Sequence, residues 1–140
     1  MKFLLDTNVI SESRRKRPDP AVRKWLDDTD PEALHVSVLT LGEIAKGIAA
    51  VSVRDPQAAR VLDHWLDFLG MHFAGRILPI DAVVAMRWGT LSAARALPVA
   101  DALLAATASV HGITLVTRNL KDLRGTGVAM LNPWDGDPNA

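Results

Sequence analysis

The chain has 140 residues, 49% hydrophobic and 23% charged, a globular composition long enough to bury a substantial core in one domain spanning 1–140. Sixteen basic and sixteen acidic residues cancel, which excludes a grip on nucleic acid through bulk positive charge and leaves room only for a local basic patch. There is no cysteine, so disulfides, thiolate metal sites and cysteine nucleophiles are excluded as well.

In chain order, KFLLD (2–6) reads as a short buried strand and TNVISESRRK (7–16) as a helix. Asp19 is placed to cap, and Pro20 to open, a second helix that ends near Asp28. LHVSVL (34–39) has the β-branched alternation of a strand, and TLGEIAKGIAAV is helical from Thr40. The next helix has Asp55 as cap, Pro56 at its first position, and Val61, Leu62, Trp65, Leu66 and Leu69 on its apolar face. RILPI (76–80) is a third strand, followed by a helix begun by Asp81. DALLAATASVHG is an alanine-rich helix opened by Asp101 and ended by Gly112. ITLVT (113–117) and VAMLNP (128–133) bring the strands to about five. Strands alternating with helices predict an α/β fold with a doubly wound, mostly parallel sheet flanked by helices.

The acids matter most. In an open α/β sheet, ligands bind beyond the carboxyl ends of the strands. Asp6 ends the first strand, Glu43 lies just after the second, and Asp122 follows the fourth; Asp101, at the start of the helix leading into the fourth strand, is a candidate for the same edge. Carboxylates gathered there repel one another unless protons or cations neutralise them. His35, His64, His72 and His111 have no ligand spacing, so an oxygen-bound hard ion such as Mg²⁺ or Mn²⁺ is the expected cofactor. Such an ion lowers the pKa of a water and orients it for in-line attack on a phosphodiester.

Each acid also has a plainer reading. Thr40 and Glu43 have the spacing of a capping box, and on sequence alone that role outweighs the metal role for Glu43. Asp101 suits a helix start through the dipole, and Asp122 suits a solvated loop. Asp6 is hardest to dismiss, because the strand before it is apolar on both sides and a lone dry carboxylate is costly. Among basic residues, Arg118 beside the predicted site is a better phosphate contact than Arg14 to Arg17, which read as a solvated helix end. Trp65 reads as core, and Trp134 as a pin for the carboxyl terminus. Neither G-x-G-x-x-G nor G-x-x-x-x-G-K-[ST] occurs, which argues against dinucleotide or P-loop chemistry. No stretch reaches membrane-span length and the amino terminus is too short for a signal peptide, so a cytoplasmic protein without membrane contact is expected.

FLLDTNVIS, SVLTLGEIAKGI, VADALLAATA and LVTRNLKDL, in that order and spacing, resemble the PIN-domain ribonucleases of the VapC toxin type over nearly the full chain, and the terminal LNPW resembles the FitB-like subgroup. The resemblance implies that Asp6, Glu43 and Asp101 are the metal-site acids. At the fourth acidic position some relatives carry Asp directly after TR; here that residue is Asn119, with Asp122 the nearest acid, and the Asn119 carbonyl offers a way to orient a water. Thr7, Asn8 and Arg118 resemble pocket-lining residues. The implied activity is Mg²⁺- or Mn²⁺-dependent endonucleolytic cleavage of RNA, including transfer RNA, which inhibits translation or growth when the toxin is free. The implied partners are a VapB-type antitoxin that covers the active site and binds operator DNA, and a second copy in a homodimer whose groove would carry Arg14, Arg15 and Arg118.

Two alternatives compete. A haloacid-dehalogenase-like phosphatase also places Asp after its first strand, but it needs a second carboxylate two residues on, where this chain has Asn8. A binding module that keeps the fold and acts mainly in a DNA-bound complex with its antitoxin is the other.

Overall fold

The structure, a computed structural model, describes residues 1–135. Five parallel strands form the sheet: β1 (Phe3–Leu5), β2 (Leu34–Ser37), β3 (Ile77–Leu78), β4 (Thr114–Val116) and β5 (Met130–Leu131), in the order β3-β2-β1-β4-β5. Parallel neighbours need long crossovers, and helices supply them. Between β1 and β2 run α1 (Thr7–Arg14) and α2 (Pro20–Asp28); between β2 and β3 run α3 (Val38–Ser52) and α4 (Pro56–His72). α5 (Ala82–Ala94) and α6 (Val99–His111) lead into β4, and the one-turn α7 (Leu120–Leu123) leads toward β5. From β1 the chain winds outward to β2 and β3, then returns to the other side for β4 and β5. The switch point lies between β1 and β4, where a doubly wound sheet opens a crevice at its carboxyl edge.

Alternation along the two central strands explains why both faces are covered. Leu5 and Val116 join a core completed by Val9, Ile10, Val22, Ile44, Ile48 and Leu69. Leu4 and Leu115 join the opposite core, with Leu104, Ala105, Ala108 and Leu123. The small side chains of α6 allow that helix to sit close against the sheet. β1 and β4 pair in the register Leu4↔Leu115, Leu5↔Val116, so one step further brings Asp6 level with Thr117.

The Asp-Pro starts behave as expected: Asp19 and Asp55 cap α2 and α4, and Asp81 caps α5. Gly112 ends α6 with φ +63°, a conformation that suits glycine. The start of α3 differs from expectation. Ser37 accepts from the Leu39 N–H at 3.0 Å, so α3 begins at Val38 and the Thr40–Glu43 capping box does not form. Thr40 is buried inside the helix instead. Helix α1 stops at Arg14 rather than Lys16, and α6 begins at Val99, which places Asp101 in its first turn rather than at its opening. Trp65 is half-buried against the core, and Val61 is exposed. Among the described residues no helix is long and apolar enough to cross a membrane.

Candidate active site

Asp6 leaves β1 with its N–H bonded to the Val116 carbonyl at 2.9 Å, which fixes it at the switch point. The residue is only 5% exposed. Although Asp6 occupies the capping position of α1, its carboxylate makes no capping hydrogen bond of regular geometry. Instead Oδ2 accepts from the Thr117 hydroxyl at 2.8 Å. That hydroxyl in turn accepts from the Asn119 N–H at 3.1 Å, which directs its proton toward Asp6. Burial raises the Asp6 pKa above its ordinary value and is the largest influence; the Thr117 bond opposes it, the Asp101 charge adds to it, and the Asn8 and Thr7 N–H groups oppose it weakly. Ionised Asp6 is thus held in place by a hydroxyl while desolvation and a like charge both disfavour its charge.

Asp101 meets the site through Asn119. The two amide hydrogens of Asn119 Nδ2 serve Asp101 Oδ2 at 2.8 Å and Asp122 Oδ2 at 3.0 Å. Asn119 and Asp122 thus stand together beside Asp101, with the amide between two carboxylates. Carboxylates accept, so the amide nitrogen of Asn119 faces them, and its carbonyl takes no part in these two bonds. Asp122 is exposed on α7 rather than in an irregular loop, and its backbone carbonyl accepts from Arg95 Nη2.

Glu43 joins from α3. Thr7 Oγ1 donates to Glu43 Oε1 at 2.7 Å and lies 3.1 Å from Thr40 Oγ1, tying the start of α1 to α3. Glu43 is half-buried, and this bond links it to Thr7, the residue that follows Asp6. Asn8 is exposed in the first turn of α1. Arg118 is exposed immediately after Thr117, with its guanidinium 4.7 Å above the Trp134 ring. Arg14 lies 5.2 Å over Trp65 and Arg15 pairs with Glu12 at 3.2 Å. Arg14 lies seven helical steps beyond Thr7, about 10 Å of rise. Sequence reasoning missed Thr117, Thr40 as a buried hydroxyl, and Arg95.

The candidate ligand atoms, the Asp6 and Asp101 carboxylates, are oxygens, which suits a hard cation. Among the described residues, no three acidic or histidine side chains are grouped tightly enough to hold an ion by themselves. Mg²⁺ keeps several waters and needs one or two carboxylates, so the mutually repelling Asp6 and Asp101 fit it. His35 is half-buried, with Nδ1 3.1 Å from the Ala33 carbonyl, while His64, His72 and His111 are exposed.

The family model described as PIN domain matches residues 3–126. The chain belongs to the PIN-domain family. The toxin FitB of Neisseria gonorrhoeae is 36% identical over 139 residues, covering 94% of this chain and 98% of FitB. The VapC ribonuclease Y4jK of Sinorhizobium fredii is 34% identical over 141 residues, covering 95% and 98%. The solved structure of FitAB bound to an IR36 DNA fragment superposes with a TM-score of 0.85 at 35% identity, covering 94% of this chain and 95% of that one. For this PIN domain, membership leaves the phosphatase alternative without support.

Proposed function

We propose that this PIN domain is a divalent-metal-dependent endoribonuclease and the toxin of a type II toxin–antitoxin pair. The observation that carries the reading is a buried Asp6, held by Thr117 and under the charge of Asp101, at the sheet's switch point. Relatives named as a toxin and as a ribonuclease support the same reading. Asp6 and Asp101 are assigned to hold Mg²⁺ or Mn²⁺. When bound, that ion supplies activation of water and neutralisation of charge on the phosphodiester. Thr117 orients Asp6, and Asn119 spaces Asp101 from Asp122. Glu43, held by Thr7, adds a carboxylate on the α3 side. Asn8 lines the pocket and Arg118 binds RNA phosphate, which excludes the need for bulk positive charge.

An RNA substrate, with transfer RNA among the candidates, and growth or translation inhibition by the free toxin belong to this proposal. So does a VapB-type antitoxin, through which operator DNA would be bound; the FitAB–DNA neighbour supports it. Exposed Val83 and Met86 on α5 and Val99 on α6 offer apolar surface for a homodimer.

The test is cleavage of labelled cellular RNA by the purified chain with Mg²⁺, with Mn²⁺ and with EDTA. Discrete fragments that require metal and vanish in Asp6→Asn are expected. Equal cleavage by Asp6→Asn, or in EDTA, would overturn the proposal.

A further inference from the structure

We infer that Trp134 is a positioning residue for RNA binding: its indole holds the Arg118 guanidinium as a phosphate clamp at the mouth of the carboxylate site. The inference rests on the ribonuclease reading above and concerns a residue beyond the matched PIN segment, which ends at 126.

The chain builds the pair deliberately. Thr117 N–H donates to the Leu131 carbonyl at 2.9 Å, so β4 and β5 leave the sheet side by side. Arg118 follows one strand directly. After the other, Asn132 Oδ1 accepts from the Trp134 N–H at 2.9 Å and starts a 3₁₀ turn over Pro133–Asp135. Buried Pro133 and the core contact of Trp134 anchor this turn, while the arginine lies over the indole ring. The ring is thus fixed by the fold and the guanidinium rests on it.

Arg76 shows what a structural arginine looks like in the same molecule. It lies 5.1 Å over Phe73, but its nitrogens also donate to the Pro31, Leu34 and His72 carbonyls at 2.6, 2.7 and 2.6 Å. Arg118 is exposed and, among the described residues, shows no such bonds and no ion pair. Stacking leaves the edge of the guanidinium, with its fork of donors, free to meet phosphate oxygens. Asn119 follows Arg118 in the chain, so the clamp sits one residue from the amide that joins Asp101 and Asp122. A long side chain immobilised beforehand loses less rotamer freedom on binding than a free one.

The experiment uses the full chain as wild type, Trp134→Leu, Trp134→Phe, Arg118→Ala and the Trp134→Leu/Arg118→Ala double variant. Steady-state cleavage of a fluorescein-labelled single-stranded oligoribonucleotide is measured at several salt concentrations. Arg118→Ala is expected to raise KM roughly ten-fold and to lower the salt slope by about one. Trp134→Leu keeps apolar bulk and is expected to raise KM about three-fold with kcat unchanged, while Trp134→Phe falls between it and wild type. In the double variant, loss of Trp134 adds nothing to loss of Arg118. Additive effects, or a folded Trp134→Leu with wild-type KM, would overturn the inference while leaving the nuclease reading intact. A wild type that cleaves nothing would overturn both. Should Trp134→Leu fail to fold, the NMR shift of the wild-type Arg118 Hε decides: an upfield ring-current shift upholds the pair and its absence overturns it.

Discussion

Asp19, Asp55 and Asp81 each turn back on the helix they begin. Their Oδ1 atoms accept from the N–H groups of Ala21, Ala58 and Val84 at 2.9, 3.1 and 3.0 Å. Asp6 and Asp101 also stand at helix starts, but neither makes a capping bond of regular geometry. Asp6 accepts from Thr117, 111 residues away, and Asp101 from Asn119, 18 residues away. The same residue type at the same kind of position thus has two uses. A capping aspartate directs its side chain at a local backbone donor, whereas the side-chain partners of these two come from distant parts of the chain.

That contrast breaks most visibly at Asp6. Asp6→Asn and Asp101→Asn are each expected to lower RNA cleavage by more than about a hundred-fold, since removal of a mere supporting residue around a metal already costs about 10–100-fold. Stability should move the other way. Because the Asp6 pKa is raised on folding, the native state holds that proton more tightly than the unfolded chain, and stability falls as pH rises from the unfolded value through the folded one. Without metal, Asp6→Asn is therefore expected to be more stable than wild type at neutral pH. Denaturant titrations should show the margin growing as pH rises above about 4 and then levelling. A margin that shrinks with pH would contradict the burial argument.

Thr117→Val comes next. It keeps the buried volume and removes the hydroxyl between Asp6 and the Asn119 N–H, so cleavage should drop about 10–100-fold in a protein that still melts cooperatively. Smallest is Asp55→Ala, which sharpens the other side of the comparison: it should cost about 1 kcal/mol in urea unfolding and leave cleavage unchanged.

Much of this was legible in the sequence because local chemistry carries it. The Asp-Pro pairs at 19–20 and 55–56 mark helix starts by themselves, and FLL before Asp6 announces a strand covered on both faces. Thr117 was not legible as a partner for Asp6: in LVT it looks like one more β-branched strand residue, and its role arises from the β1–β4 register. Thr40 and Glu43 were misread for the opposite reason. Their spacing satisfies a local rule, but Ser37 takes the cap at the end of β2 and frees both for contacts with Thr7. Arg95 reaches the Asp122 carbonyl only because the connection from α5 to α6 passes beside α7, which no local pattern encodes.

The most direct test of the account is calorimetric titration of Mn²⁺ into the wild-type chain, Asp6→Asn, Asp101→Asn and Asp55→Ala. Wild type and Asp55→Ala are expected to bind with equal affinity, and the two switch-point variants to lose at least about ten-fold. Unchanged Mn²⁺ affinity in Asp6→Asn and Asp101→Asn would contradict the account.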